Sequence, residues 1–176
     1  TQLKDGSRKV GESHIAKPYS RNFHLLEQRG FPYRQIARYW RKKQEKGVSR
    51  LDALVVLTEH DAGNWTSIKQ AFVIPNSLPF YPQYGSSCKN KRIISIGRLN
   101  EQKGYERLIE AWAIVNRKHP DWEVNIYGEG TEYEMLKALI EKHKLGKNFK
   151  LCQPVRNIQE KYMESSMYVM SSRFEG

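Results

Sequence analysis

The chain has 176 residues, 39% hydrophobic and 11% aromatic, with 30 Lys and Arg against 19 Asp and Glu. That is enough apolar material for one compact domain or two small ones, which excludes a globally disordered chain. No apolar run approaches the ~20 residues of a membrane-spanning helix, and the first residues lack the apolar stretch of a secretory signal.

The net charge of +11 is lopsided: residues 1–50 hold thirteen Lys and Arg against four Asp and Glu, a local +9, which leaves +2 for the rest. Such a segment suits an anionic partner (a membrane surface, nucleic acid or an acidic ligand) or forms a solvated face that keeps the protein dissolved. Cys88 and Cys152 lie far apart with no metal-ligand pattern around them. They read as packing or surface residues in a reducing, cytosolic setting. The five histidines show no metal spacing, so no metal site is expected.

In chain order, Phe31 to Lys46 places Tyr33, Ile36, Ala37 and Trp40 at i, i+3, i+4 and i+7, one helical stripe among arginines and lysines. Asp52 to Thr58 is a short apolar run that predicts a buried parallel strand, and Ala71 to Pro75 a second strand stopped by its proline. Residues 76–91 mix Asn, Ser, Pro, Gly and Lys without period, as a linker does, so a domain boundary is expected inside them.

Beyond this linker the alternation is regular. Strands are predicted at 93–96, 122–127, 149–152 and 167–171, with helices at 104–118, 132–144 and 157–165 between them. Leu108, Ile109, Trp112 and Val115 form the inward stripe of the first helix, and Met135, Leu136, Leu139 and Ile140 that of the second. This β-α-β-α-β-α-β run predicts an α/β, Rossmann-like parallel sheet with flanking helices.

In such a sheet ligands bind beyond the carboxyl ends of the strands. The loop after the first of these strands, Gly97 to Gly104, carries Arg98 and Lys103 to the start of a helix. Two cations at a helix N-terminus suit a phosphate, Arg as a fork and Lys as a point charge; an ordinary basic loop would have the same composition. Gly97 and Gly104 permit close approach and a sharp entry into the helix. Neither a Walker A loop nor a GxGxxG fingerprint is present. Gly128, in Tyr127-Gly-Glu-Gly-Thr131, stands in a strand-to-helix turn, and Glu175 follows the last strand, where a carboxylate can accept hydrogen bonds from a sugar.

Taken together, IISIGRLNEQKGYERLIEAW, VNIYGEG and YVMSSRFEG resemble the donor-binding domain of GT4 family retaining glycosyltransferases (glycosyl transferases group 1), which have the two-domain GT-B fold. DALVVLTEHDAGNW and VIPNSLPF resemble the last part of that family's N-terminal domain and its interdomain linker. The resemblance implies a central fragment: residues 1–76 from the acceptor-side domain, 77–91 as linker and 92–176 as the first half of the nucleotide-sugar domain. A fragment of this kind is expected to lack transferase turnover and to be open to self-association.

The resemblance also implies roles. Arg98 and Lys103 would hold the donor's diphosphate, and Glu175 would touch the donor sugar. Gly176 would begin a backbone turn facing phosphate and sugar, and His14, at the end of Gly11-Glu-Ser-His14, would stand near the transferred sugar. Gly97, Gly128 and Val155 complete the donor-binding set, although Gln153-Pro154-Val155 departs from the glycine many members carry where the base is recognised. The implied substrates are a nucleoside-diphosphate sugar, UDP- or GDP-linked, and a saccharide or polyprenyl-linked acceptor, with no metal and no covalently bound cofactor. Cell-surface polysaccharide synthesis, such as capsule assembly, at the inner face of the cell membrane fits the basic residues 1–50. Alternatives are a non-catalytic basic α/β module that binds an anionic membrane or nucleic acid, and a catalytically silent scaffold. No RNP1, KH or helix-turn-helix pattern supports nucleic acid.

Overall fold

A computed structural model describes residues 5–175. They form two compact units: one runs to Pro79 and also takes in Glu175, and the other spans Phe80–Phe174. Gly176 lies outside the described residues.

The first unit contains β1 (Val10–Ser13), a 3-10 segment (Lys17–Asn22), α1 (Phe23–Gln28), α2 (Tyr33–Val48), β2 (Ala53–Val56), α3 (Glu59–Asn64) and β3 (Ala71–Val73). Its strands are parallel in the order β1-β2-β3, with Val10 opposite Ala53 and Leu54 opposite Ala71. The central strand β2 is all Ala, Leu and Val because it is covered on both faces. Leu54, Val56 and Trp65 form the core, with Val48, Leu51, Ile68 and Val73 packed around them.

Asp61 ties this unit together. The Thr58 hydroxyl caps α3 by accepting the Asp61 N–H at 3.2 Å, which turns the Asp61 side chain inward. There, almost fully buried, its carboxylate accepts the Lys17 backbone N–H at 2.7 Å and the Trp65 indole N–H at 3.2 Å. The Lys17 ammonium in turn donates to the Asn64 carbonyl at 2.7 Å, pairs with Glu45 at 2.8 Å and lies 5.0 Å over the Trp65 ring.

Helix α2 buries only part of its apolar stripe. Its contact face is Ala37, Arg41 and Gln44, not Tyr33, Ile36 and Trp40, which are exposed. Ala37 lets the helix approach closely. Arg41 reaches both oxygens of Glu27 at 2.9 and 3.1 Å, and Gln44 donates to the Ser20 hydroxyl at 2.7 Å. The stripe is therefore split: Ala37 packs inward, while Tyr33, Ile36 and Trp40 stay open to solvent.

The second unit contains β4 (Arg92–Ile96), α4 (Tyr105–Val115), β5 (Glu123–Tyr127), α5 (Tyr133–Lys142), β6 (Phe149–Cys152), α6 (Ile158–Met163) and β7 (Met167–Tyr168). The strands are parallel in the order β6-β5-β4-β7. The core gathers Ile93, Val124, Ile126 and Phe149 from the strands with Ile109, Trp112, Leu136 and Ile140 from the helices. Val115 and Met135, expected inward, are exposed; the buried line of α4 runs Tyr105, Ile109, Trp112 and that of α5 runs Leu136, Ile140. β7 is shorter than the predicted 167–171. After Tyr168 the chain still follows β4, with Val169 donating its N–H to the Ile94 carbonyl, but its own carbonyl is taken by the Ser95 hydroxyl at 2.7 Å.

Replacing Asp61 strands the buried Trp65 indole donor and the half-buried Lys17 N–H, each worth about 1–3 kcal/mol when left unpaired in a buried place. Asp61→Ala is expected to lower the urea stability of the first unit by about 2–4 kcal/mol, read by far-UV circular dichroism; an unchanged midpoint would show that the carboxylate does not hold the unit.

Candidate functional site

The strand order locates the site. From β4 the chain moves outward through β5 to β6, then returns to the other side of β4 as β7. The direction of winding therefore reverses between β4 and β7, and such a switch opens a crevice at the carboxyl ends of the two strands. The loop after β4 carries Arg98 and Lys103; the segment after β7 carries Ser171 to Glu175.

Three loops meet here backbone to backbone. The pairing of β4 with β5 and of β5 with β6 continues past the strand ends, with Gly97 donating to the Tyr127 carbonyl at 3.1 Å and Gly128 to the Cys152 carbonyl at 3.0 Å. A Cβ on Gly128 would fall 1.9 Å from the Gly97 carbonyl oxygen, and one on Gly130 2.3 Å from that of Leu99. Glycine is required at both places for close approach. Leu99, fully buried, anchors the loop between Arg98 and Asn100, with its N–H on the Glu129 carbonyl and its own carbonyl taking the Glu132 N–H.

With Leu99 pointing inward, Arg98 points out. Its side chain is exposed and has no ion pair or hydrogen bond among the described residues. Asn100 then caps a 3-10 turn, Glu101–Lys103, its side-chain oxygen accepting the Lys103 N–H at 3.3 Å. The turn brings Lys103 back, its stem 3.1–3.2 Å from where a Gly97 Cβ would be. Gly104 adopts φ +61° and starts α4; a side chain there would strain the backbone and meet the Ser171 carbonyl at 2.5 Å.

The segment after β7 is sewn to this turn. The Ser171 hydroxyl donates to the Lys103 carbonyl at 2.9 Å, the Arg173 N–H to the Gln102 carbonyl at 2.7 Å, and the Gln102 amide to the Phe174 carbonyl at 3.2 Å. Arg173 also pairs with Glu106 in the first turn of α4. Glu175 follows at once and is half-buried.

The structure thus gathers Gly97, Arg98, Lys103 and Gly128 at one sheet edge, with one uncommitted cation. Val155, exposed, follows β6, two strands and about 10 Å across the sheet from β4. His14, just past β1 in the first unit, is exposed and 3.1 Å from Glu12. Leu99, Asn100 and Gln102, which shape the site, were not singled out by spacing; the Asn-x-x-Lys cap was a readable signal. Among the described residues no group of three or more His, Cys, Asp or Glu is placed to hold a metal ion.

One carboxylate at this edge is out of balance. Burial raises Glu132 above the usual 4.5, and the charges of Glu106 and Glu101 add to the rise. Its Oε2 is buried without a partner. Between the ordinary value and the raised one, the folded chain keeps a proton that the unfolded chain has released, so stability falls as pH rises through that window. Glu132→Gln is expected to flatten this slope and raise the melting temperature at pH 7; melting curves from pH 4 to 7 decide it.

Comparison with known proteins bears on the fold and the family. The model of the family described as glycosyl transferases group 1 matches residues 81–176. The amylovoran biosynthesis glycosyltransferase AmsD of Erwinia amylovora is 32% identical over 135 residues, 71% of this chain and 38% of that protein. The chain spans well under half the length of the curated relatives it matches. Among solved structures, a TarM mutant of S. aureus in complex with fondaparinux, alpha-GlcNAc-glycerol and UDP superposes with a TM-score of 0.74 at 21% identity, over 97% of this chain and 33% of that one. The pneumococcal O-GlcNAc transferase GtfA, solved with UDP and GlcNAc, gives 0.67 at 20% identity, over 78% of this chain and 29% of that one. The expected α/β, Rossmann-like fold is the observed one, and with more than half of its residues matched by the family model the chain belongs to the glycosyl transferases group 1 family.

Proposed function

We propose that this chain supplies the diphosphate-binding edge of a retaining, metal-independent glycosyltransferase acting in cell-surface polysaccharide synthesis. In this reading residues 92–176 belong to the nucleotide-sugar domain, 77–91 to the linker and 1–76 to the acceptor-side domain of a GT-B enzyme. The observation that carries it is the exposed, uncommitted Arg98 on the same short loop as Lys103, at the switch between β4 and β7. The UDP held by TarM and by GtfA supports a nucleotide-sugar donor, UDP- or GDP-linked, and the role of AmsD in amylovoran biosynthesis supports a saccharide or lipid-linked acceptor.

The chemistry follows from where charge develops. As the sugar–phosphate bond breaks, the sugar becomes oxocarbenium-like and negative charge grows on the departing diphosphate. A preset fork from Arg98 and a point charge from Lys103, beside the N-terminus of α4, stabilise that charge more than they stabilise the intact donor, which is what lowers a barrier. Glu175 is assigned to the hydroxyls of the donor sugar, Gly97, Gly128 and Gly176 to backbone contacts, Val155 to the side of the base, and His14 to the transferred sugar.

Binding is the direct test. Isothermal titration of UDP and GDP into the chain is expected to show one site, and Arg98→Ala to weaken it tenfold or more, as loss of a charged hydrogen bond of about 1.5–3 kcal/mol implies. No binding of either nucleotide, or unchanged affinity in the variant, sinks the assignment.

A second reading concerns α2, for which the anionic membrane surface is the proposed partner. Phe31 is 83% and Tyr39 61% exposed, with Tyr33, Ile36 and Trp40 also open, among Arg34, Arg38, Lys42 and Lys43. An apolar face set in cations suits the headgroup layer, each cation adding about 1 kcal/mol near an anionic surface. No helix among the described residues is long and apolar enough to cross a membrane. In flotation assays the chain is expected to rise with vesicles containing phosphatidylglycerol and not with pure phosphatidylcholine, and to lose most of that binding in a Tyr39→Ser, Trp40→Ser variant. Equal flotation of the variant would overturn the reading.

A further inference from the structure

A second cleft in the second unit lies away from the loop of Arg98 and Lys103. It has a volume of about 690 Å3 and runs between residues 81–90 and the outer face of α6, within the roughly 300–1,000 Å3 of small-ligand sites. Its wall is firmly built. The Phe80 ring packs on Tyr162 at 6.3 Å, the Ser86 hydroxyl donates to the Ser165 carbonyl at 2.6 Å, and the Asn90 amide donates to the Glu164 carbonyl at 2.9 Å. Between these anchors Tyr81 and Tyr84 are held out, 81% and 73% exposed.

The lining states what would fit. Tyr81 and Tyr84 offer two flat aromatic faces, each with a hydroxyl, and Gln83, Asn157, Gln159 and Glu160 offer amide and carboxylate groups. Among the described residues the side chains of Tyr81, Gln83, Tyr84 and Gln159 make no hydrogen bond, so their donors and acceptors are available. No Lys or Arg lines the cleft, and Arg92 and Lys161, which reach its lining residue Glu164, are both spent on that carboxylate at 2.9 Å. A phosphate, a nucleotide or an acidic polymer would meet Glu160 and Glu164 and no counter-charge among the lining residues. A lipid chain would find Met163 as the single aliphatic side chain. A pyranose has what remains: C–H faces for the tyrosine rings and a rim of hydroxyls for the amides and carboxylates. We infer that this cleft is a binding site for a neutral saccharide chain, separate from the nucleotide edge.

Such a site would hold a saccharide away from the reacting centre, and it stands whether or not the nucleotide assignment does. The test is saturation-transfer-difference NMR on the 176-residue chain with maltohexaose, cellohexaose, chitohexaose and a heparin hexasaccharide, with UDP scored in parallel. Transfer to at least one of the neutral hexasaccharides is expected, unaffected by saturating UDP. It should fall at least tenfold in a Tyr81→Ala, Tyr84→Ala variant and survive in Tyr81→Phe, Tyr84→Phe, which keeps the rings. Because both side chains are exposed, the alanine variant is expected to keep its circular dichroism spectrum. Absence of transfer from all three neutral probes, preference for the heparin probe, or equal transfer in the alanine variant would overturn the inference. UDP binding without saccharide binding defeats this site alone, and the reverse result defeats the nucleotide assignment alone.

Discussion

Where the loops after β4, β5 and β7 meet, backbone lies directly on backbone, and the arrangement of the candidate site depends on that contact. The carbonyl of Gly97 occupies the space a side chain on residue 128 would need, and the Ser171 carbonyl the space one on residue 104 would need. This closeness seats Leu99 in the core, turns Arg98 outward and folds the stem of Lys103 over Gly97. The glycines thus act first on the protein's own packing. Their demand is steric, and no other residue meets it.

The first unit is organised by polar bonds to a greater degree. A core of Leu54, Val56 and Trp65 is small, and the buried Asp61 carboxylate supplements it by joining the 3-10 segment, α3 and Trp65. The basic residues divide into two kinds. Lys17 and Arg41 are consumed internally, by Glu45 and Glu27, whereas Arg34, Arg38, Lys42 and Lys43 remain on the surface. Net charge alone does not separate these; the partner of each side chain does.

Much of this was legible in the order of residues. β2 is a short apolar run bounded by polar residues, and the alternation of the short segments β4, β5 and β6 with α4 to α6 announced a parallel sheet. Helices α1 and α3 were not foreseen, because each spans six residues, too few for a periodic pattern, and α3 is held by its Thr58 cap and Asp61. Val115 and Met135 were placed inward by hydrophobicity, yet a helix of 10 or 11 residues has only a narrow buried line. The Arg98 and Lys103 loop was visible as a motif, but its dependence on Leu99, Asn100 and Gln102 was not. The cleft beside α6 was hidden altogether. Tyr81 and Tyr84 sit in an aperiodic, proline-bearing stretch, and the helix that completes the cleft lies some seventy residues onward.

The stitches that close the candidate site span long stretches of chain: 68 residues between Ser171 and Lys103, and 72 between Gln102 and Phe174. The neighbouring β4–β5 pairing spans only 31, as in Arg92 with Glu123. Loop-closure entropy therefore favours assembling β4 and β5 first and sewing on residues 171–174 late. The same few bonds are the ones most easily undone without unfolding the sheet. The carboxyl edge beside β7 can then open while the β4–β5–β6 pairing stays intact. An anion bridging Arg98 and Lys103 would act there as a fastener, coupling occupancy to the order of the chain that carries Glu175.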